Sequence, residues 1–480
     1  MTYLSVILVY LFALIAIGIV KSRKIHTQSD FALAGRTLTP WILVGTMLAS
    51  WIGTGSILGN AGKTYETGMA ALMLPIGSIL GIILLTRIAG KVRSYEKYTV
   101  PEIIGDRYGP VARNLSVFAL VMAYMVIVSY QYNAGGAVLY TILADNTGTS
   151  IISIELATII AAVFIIAYTM LAGLLSVAYT DAANSIIMTL ALVISLPILW
   201  IKAGSWSGME TAFAAMNKSQ HMQFGGVYST MDIINFCLPP FLLVIGDANM
   251  YQRFSASKDV QSARYSTTIL VFAVLFIELL IIGSAWVSSS LIPEAEVGKH
   301  VLIYAAHQFL PTFLGAIMLT TIVGIIISTA DSFLLVPANT LIRDIYLNYI
   351  NPQASEKNIV RLSRLLVLLL GIIAYIVSIG FSRSAGFFER ALYAYTIYGA
   401  AITPALVAAL FWRGATKEGA VASIICGTLV TLFWKELPGL WFWLPTEWYI
   451  SLDEVLPAIS GSLLALICVS YLTQKADTGK

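Results

Sequence analysis

Charge is what this 480-residue chain has least of. Only 11% of its residues are Asp, Glu, Lys or Arg, and 58% are hydrophobic. A soluble globular domain carries roughly 25% charged residues, so a water-soluble fold is excluded on that balance. Cysteine is scarce as well: Cys237, Cys426 and Cys468 are scattered through apolar segments, which excludes a disulfide framework and a thiolate metal site. The four histidines (His26, His221, His300, His307) fall in loops or near span ends and cannot build a catalytic metal site or triad. No Gly-x4-Gly-Lys-Ser/Thr phosphate loop and no His-Glu-x-x-His is present. The net charge of +3 is spread over short loops and gives no nucleic-acid surface. With no enzyme motif and no nucleotide loop, coupling to an ion gradient is the economical source of energy. No composition shift or low-complexity linker divides the chain, so residues 1–480 read as a single membrane domain.

What is abundant is apolar runs of about twenty residues, each able to cross a hydrocarbon core roughly 30 Å thick. The pattern predicts an all-α polytopic protein with about thirteen spans: 3–21, 40–60, 68–88, 115–142, 150–170, 174–201, 231–248, 266–289, 308–342, 360–380, 389–412, 418–436 and 453–472. The first run has no basic residue before it, and Lys21, Arg23 and Lys24 follow it. It therefore reads as a retained helix with its N-terminus outside, not as a cleaved signal peptide. Thirteen crossings put the C-terminus in the cytoplasm of a cell whose inner (plasma) membrane holds the chain. That orientation places 20 of the 28 Lys and Arg residues on the cytoplasmic side and seven outside, as the positive-inside rule requires. Trp441, Trp443, Trp448 and Tyr449 in the last outer loop suit a headgroup-level anchor.

Polar residues inside spans are expensive in lipid and are functional candidates for that reason. Ala49-Ser-Trp-Ile-Gly-Thr-Gly-Ser56 sits in the middle of the second span. Its residues fit either a locally unwound helix with free carbonyls or close helix packing through small side chains. Ser328-Thr-Ala-Asp-Ser332 places three hydroxyls and the Asp331 carboxyl on one flank of the ninth helix. Oxygen-only ligands of that kind suit a hard cation such as sodium. Asp181, after Tyr179 and Thr180, reads as a second cation ligand or as the N-cap of the sixth helix. Tyr130-Gln131-Tyr132-Asn133 adds polar groups in the fourth span. Pro239-Pro240 marks a break in the seventh span, five spans after the first interruption. Two interrupted helices at that interval fit inverted repeats with a site at their interface. Glu278, within the eighth span, has no role in this reading.

Three stretches resemble the sodium:solute symporter family. Ala49 to Gly59 looks like its first core helix. Ala172-Gly-Leu-Leu-Ser-Val-Ala-Tyr-Thr-Asp-Ala-Ala-Asn184 is similar to its Gly-Gly-x-x-Ala-Val-x-x-Thr-Asp-x-x-Gln signature, with Ala172 and Asn184 as departures. Ser328 to Tyr346 resembles its ion-binding helix and exit, and Gln252-Arg253-Phe254 and Phe411 to Ala420 add family-like loops. The resemblance implies a LeuT-type core of two inverted five-helix repeats: 40–205 and 230–412, preceded by a leading helix and loop at 1–39 and followed by trailing helices at 413–480. It further implies a sodium site made of the carbonyls of Ala49, Ile52 and Ile325 with the hydroxyls of Ser328 and Thr329. Members with a second sodium would place it here at Asp181, Asp331 and Ser332; Asp331 stands where those members often have a hydroxyl. By position, Trp51, Gly53, Thr54, Ser56, Gln131, Asn235 and Tyr395 form the expected solute pocket. The function implied is import of an amino acid, osmolyte or polyol-like solute with sodium, by a monomer in a lipid bilayer. A proton titrating Asp331 or Asp181, or a solute sensor on the same fold, are the alternatives.

Overall fold

In the computed structural model, the described residues are 2–22, 25–144, 150–293, 298, 300–381, 386–434, 449 and 451–477. Expectations resting on Arg23, Lys24, Lys299, Arg383, Lys435, Lys480 and Trp441, Trp443 and Trp448 fall outside them. Among the described residues the chain is helical throughout, with two isolated β-bridges and no strand.

The helices run as α1 (Thr2–Ser22), α2 (Gln28–Leu33), α3 (Pro40–Trp51), α4 (Ala61–Thr67), α5 (Ile76–Tyr95), α6 (Val100–Tyr108) and α7 (Pro110–Ile142). They continue with α8 (Ile154–Lys202), α9 (Ser205–Ala215), α10 (Thr230–Gly246), α11 (Ala248–Ala256), α12 (Val260–Ser289) and α13 (Val301–Gln308). The last are α14 (Thr312–Thr340), α15 (Glu356–Phe381), α16 (Phe387–Ala401), α17 (Thr403–Phe411), α18 (Lys417–Phe433) and α19 (Val455–Asp477). Nine helical stretches of the described residues are long and apolar enough to cross a bilayer, and ten if the bent pair around residue 52 counts as one. The expected thirteen are not all met by that measure, for physical reasons. The fifth and sixth expected spans are fused in α8, whose 49 residues would extend about 74 Å. The third lies in α5, which carries Arg87, Lys91 and Arg93, and the twelfth in α18 is 17 residues long.

α8 is two helices joined at Gly173, whose φ of 57° and ψ of 170° leave the helical region. A side chain there would be strained by the positive φ, and its Cβ would stand 2.8 Å from Ile25 Cδ1. The join lets the second half of α8 lean against α3 while the first half packs on α7.

The first expected interruption is present: Pro40–Trp51 and Gly55–Met73 meet at 52°. The second is displaced. α10 runs unbroken through Pro239 and Pro240, and the chain leaves helical geometry at Asp247 (ψ 113°). Neighbouring hydroxyls supply what the backbone loses at that point. Thr403 donates to Leu242 O (2.8 Å), Tyr251 to Ile245 O (3.0 Å) and Tyr398 to Gly246 O (2.7 Å). The Ala248 N–H in turn donates to the Tyr398 hydroxyl at 3.2 Å. A break inside a membrane persists only where such partners exist, which is why it sits at Asp247 and not at the proline pair.

α3 closes on α8 through Gly45, where an added Cβ would lie 2.6 Å from Ala182 Cα. Gly45→Ala should therefore push the two helices apart and destabilise the fold by about 1–3 kcal/mol. Thermal unfolding of the purified chain checks this, with Gly225→Ala, whose Cβ would meet nothing within 4 Å, expected to leave the midpoint unchanged.

Candidate functional site

The break after α3 releases one backbone carbonyl in a buried place. The Gly53 N–H donates to Trp51 O at 2.9 Å, so Ala49 O loses the partner an unbroken helix would give it. Two hydroxyls of α14 converge on that oxygen: Ser328 at 3.4 Å and Thr329 at 3.3 Å. Gly53 makes the approach feasible, since a Cβ on it would lie 2.9 Å from Thr329 Cγ2. Ile52 and Ile325 are buried beside this point, Ile325 one helical turn before Ser328 and Thr329.

Asp181 is not an N-cap. It lies inside α8, eight residues beyond the Gly173 join, and is fully buried. Its Oδ1 accepts from Ser328 at 2.5 Å and its Oδ2 from Thr46 at 2.6 Å. The third partner is Arg253 on α11, whose Nη2 stands 3.4 Å from Asp181 Oδ2 and donates to Ser332 Oγ at 2.7 Å. Arg253 Nε donates to Thr46 Oγ1 at 3.0 Å and Nη1 to Asn249 O at 3.3 Å. This guanidinium has no exposed surface at all. Ser50 completes the ring, donating to Thr46 O at 2.8 Å and lying 3.2 Å from Ser332 Oγ. A guanidinium thus bridges Asp181 and Ser332. Asp331 bonds elsewhere: its Oδ1 accepts from Thr169, on the first half of α8, at 2.5 Å.

Sequence reasoning placed Arg253 in a cytoplasmic loop and gave Thr46 and Thr169 no role. A signal existed for Arg253: between Asp247 and Ala256 the polar residues Asn249, Gln252 and Arg253 recur at helical spacing, with no glycine or proline among them.

Of the expected solute residues, Thr54 and Gln131 meet directly, the Thr54 hydroxyl donating to Gln131 Oε1. The Gln131 Nε2 is buried without a hydrogen-bond partner among the described residues and lies beside Gly53. Trp51 and Tyr395 stack with ring centroids 6.3 Å apart, and Ser56 follows them along one cleft. Asn235 is not brought there; it donates to Ser451 O near the start of α19 at 3.1 Å.

The cleft holding Trp51, Ser56, Glu278 and Tyr395 encloses about 420 Å³ counting its mouth. A wider cavity of about 2190 Å³, also with its mouth, adjoins it and is lined by Lys63, Glu66, Asn133, His300, Tyr375 and Arg390. Phe388 lines both. The other end of the bundle is tied by charges. Arg343 pairs with Glu102 at 3.3 Å, Arg113 with Asp344 at 3.6 Å and with Asp106 at 3.3 Å, and Thr99 donates to Asp344 at 2.6 Å.

Proteins similar in sequence over nearly the whole chain include sodium/proline symporters and proline transporters. The sodium/proline symporter of Haemophilus influenzae is 26% identical, the match covering 98% of this chain and 94% of that protein. The osmoregulated proline transporter of Bacillus subtilis is 25% identical over 97% and 94%. Among solved structures, a sodium-coupled sialic acid symporter superposes with a TM-score of 0.81 at 15% identity, covering 98% of each chain. Mhp1, a nucleobase-cation-symport-1 family transporter, gives 0.58 at 12% over 93% and 95%. The profile of the sodium:solute symporter family matches residues 31–427, and this chain, a multi-pass helical membrane transporter of LeuT-type fold, belongs to that family.

Proposed function

We propose that the chain imports a small organic solute together with sodium by alternating access, with the ion held where α3 breaks against α14. The observation that carries this is the Ala49 carbonyl released opposite two hydroxyls. An ion of calcium's size, which sodium nearly matches, holds oxygens at about 2.3–2.6 Å, so adjacent ligands of an octahedron stand about 3.3–3.7 Å apart. The Ala49–Ser328 and Ala49–Thr329 separations, 3.4 and 3.3 Å, match that spacing. The carbonyls of Ile52 and Ile325 complete the ligand set in this reading. An ion there would clamp the broken helix to α14 and favour one state over the other, which is the coupling symport needs. The solute pocket adjoins it at Trp51, Gly53, Thr54, Ser56, Gln131 and Tyr395.

In the proposed division of the chain, 40–205 and 230–412 are the two inverted repeats, each opening with a broken helix, α3–α4 and α10–α11. The wide cavity would face outward and the Arg343–Glu102 and Arg113–Asp344 pairs would close the cytoplasmic end, with the N-terminus outside. The solute class is the one the relatives' names suggest, proline or another small osmolyte-like molecule. One sodium entering down about 100 mV releases roughly 2.3 kcal/mol, and a tenfold gradient adds about 1.4. Together these sustain roughly 500-fold accumulation per ion.

The Arg253 guanidinium supports a one-sodium stoichiometry. It already supplies a positive charge to Asp181 and Ser332, two of the three expected ligands of a second ion. Asp331, bonded to Thr169 and paired with no cation among the described residues, is the group a proton would use instead.

Ser328→Ala and Thr329→Ala should each raise the sodium concentration for half-maximal uptake in proteoliposomes by about tenfold or more, as expected for a lost contact to a charged group. Unchanged sodium dependence in both variants refutes the site, and uptake that follows pH without sodium favours the proton at Asp331. Arg253→Gln should destabilise the fold by about 3–5 kcal/mol by stranding the Asp181 charge. The double variant with Asp181→Asn should recover much of that loss in thermal unfolding; additive losses would show that the two charges do not depend on each other.

A further inference from the structure

Glu278 lies outside the ion site and outside the Arg253 network. It projects from α12 with 2% of its surface exposed and lines the smaller cleft. Each carboxyl oxygen accepts one hydrogen bond: Oε1 from the Ser56 hydroxyl at 2.6 Å and Oε2 from the Asn60 amide at 3.0 Å. Among the described residues no Lys, Arg or His forms an ion pair with it. Lys63, which lines the adjoining wider cavity, is committed to Glu66 at 3.0 Å, with its ammonium 5.5 and 5.9 Å from the ring centres of Phe236 and Phe388. An acceptor-only carboxylate buried without a counter-charge is costly, and a cation arriving from outside the protein relieves that cost.

The walls decide which cation. Trp51, Phe236, Phe388, Tyr395 and Pro240 face the cleft, and the side-chain oxygens that line it besides the carboxylate are neutral ones, on Ser56, Asn60, Ser78 and Tyr395. The Ser78 hydroxyl is turned onto Pro75 O at 2.8 Å. An alkali ion needs a shell of several oxygens. Aromatic faces around one carboxylate suit an organic nitrogen cation, through charge and ring quadrupole together.

We infer that Glu278, seated by Ser56 and Asn60, is the subsite for a positively charged nitrogen of the transported solute, so that the substrate is an amine- or ammonium-bearing molecule rather than a polyol or a plain carboxylate. The inference rests on the transport reading above and narrows its substrate class. It also links the ligands mechanically. The stretch Trp51–Asn60 follows Ala49 at the break and carries both partners of Glu278, so nitrogen binding and ion binding act on one segment of backbone.

The test uses the purified full-length chain and thermal unfolding with and without sodium. The probes are L-proline and glycine betaine, with tetrahydro-2-furoate, which puts an ether oxygen in place of the ring nitrogen of proline, and myo-inositol. The wild type should be stabilised by a nitrogen cation and by neither the ether analogue nor the polyol. Glu278→Gln should weaken that response about 10- to 100-fold, the range for a lost charged partner, and leave the sodium-induced shift intact. Glu278→Asp, which keeps the charge, should retain the nitrogen-over-ether preference with lower affinity and serves if the glutamine variant does not fold. The inference is overturned by equal affinity in Glu278→Gln, by a wild type that prefers the ether or the polyol, by no response to either nitrogen cation, or by loss of the sodium shift in Glu278→Gln. A wild type that discriminates nitrogen from ether without any sodium shift upholds this subsite and refutes the sodium coupling instead.

Discussion

A charge in hydrocarbon has to find its partner inside the protein, and the arrangement of this bundle follows from how that is met around Asp181. The carboxylate sits about two turns into the second half of α8 and is held by Thr46 of α3, Ser328 of α14 and Arg253 of α11. Four elements far apart in the chain are thereby fixed around one group. The ligands of the proposed ion site are neighbours of that group, not a separate construction. Ser328 serves both, donating to Asp181 at 2.5 Å and approaching Ala49 O at 3.4 Å. The cost of burying the ion pair is offset by the hydrogen bonds that saturate it, and its return is a defined geometry at the broken helix.

How far the sequence could be read depended on the kind of interaction. Spans and the hydroxyl flank of α14 follow from periodicity and from the price of polarity in lipid, so the polar flank of Ser328 and Thr329 was legible, whereas the small and polar residues 49–56 fitted an unwound helix and close packing equally well. The interruption of α10 was misplaced by seven residues because proline marks where a helix loses donors. It does not mark where neighbours can supply replacements. Only tertiary contacts from Tyr398, Tyr251 and Thr403 locate the break at Asp247. Arg253 was hidden for a related reason: positively charged residues at span ends normally face the cytoplasm, and nothing local in Gln252-Arg253-Phe254 says that this one turns inward. Asn235 was grouped with the pocket by position along its helix, although its amide reaches the α19 end of the bundle.

Three carboxylates in the bundle illustrate one physical rule with different outcomes. Asp181 has a guanidinium, Asp331 a single threonine hydroxyl, and Glu278 a hydroxyl and an amide beside an open cleft. Their residue types differ little, and their surroundings separate the tasks open to them: a fixed internal pair, a site a proton can occupy, and an acceptor awaiting a ligand.

The Tyr398 hydroxyl gives the α10–α11 junction a particular character. One oxygen receives the Ala248 amide and donates to the Gly246 carbonyl, so the two sides of the interruption hang from the same atom. If α10 swings while α11 stays anchored by Arg253, the backbone on either side can turn about that oxygen without exposing an unmet polar group to the bilayer. The junction is then a pivot with its own bearing, and the travel of the outer half-helix is set by how far a phenol ring can tilt.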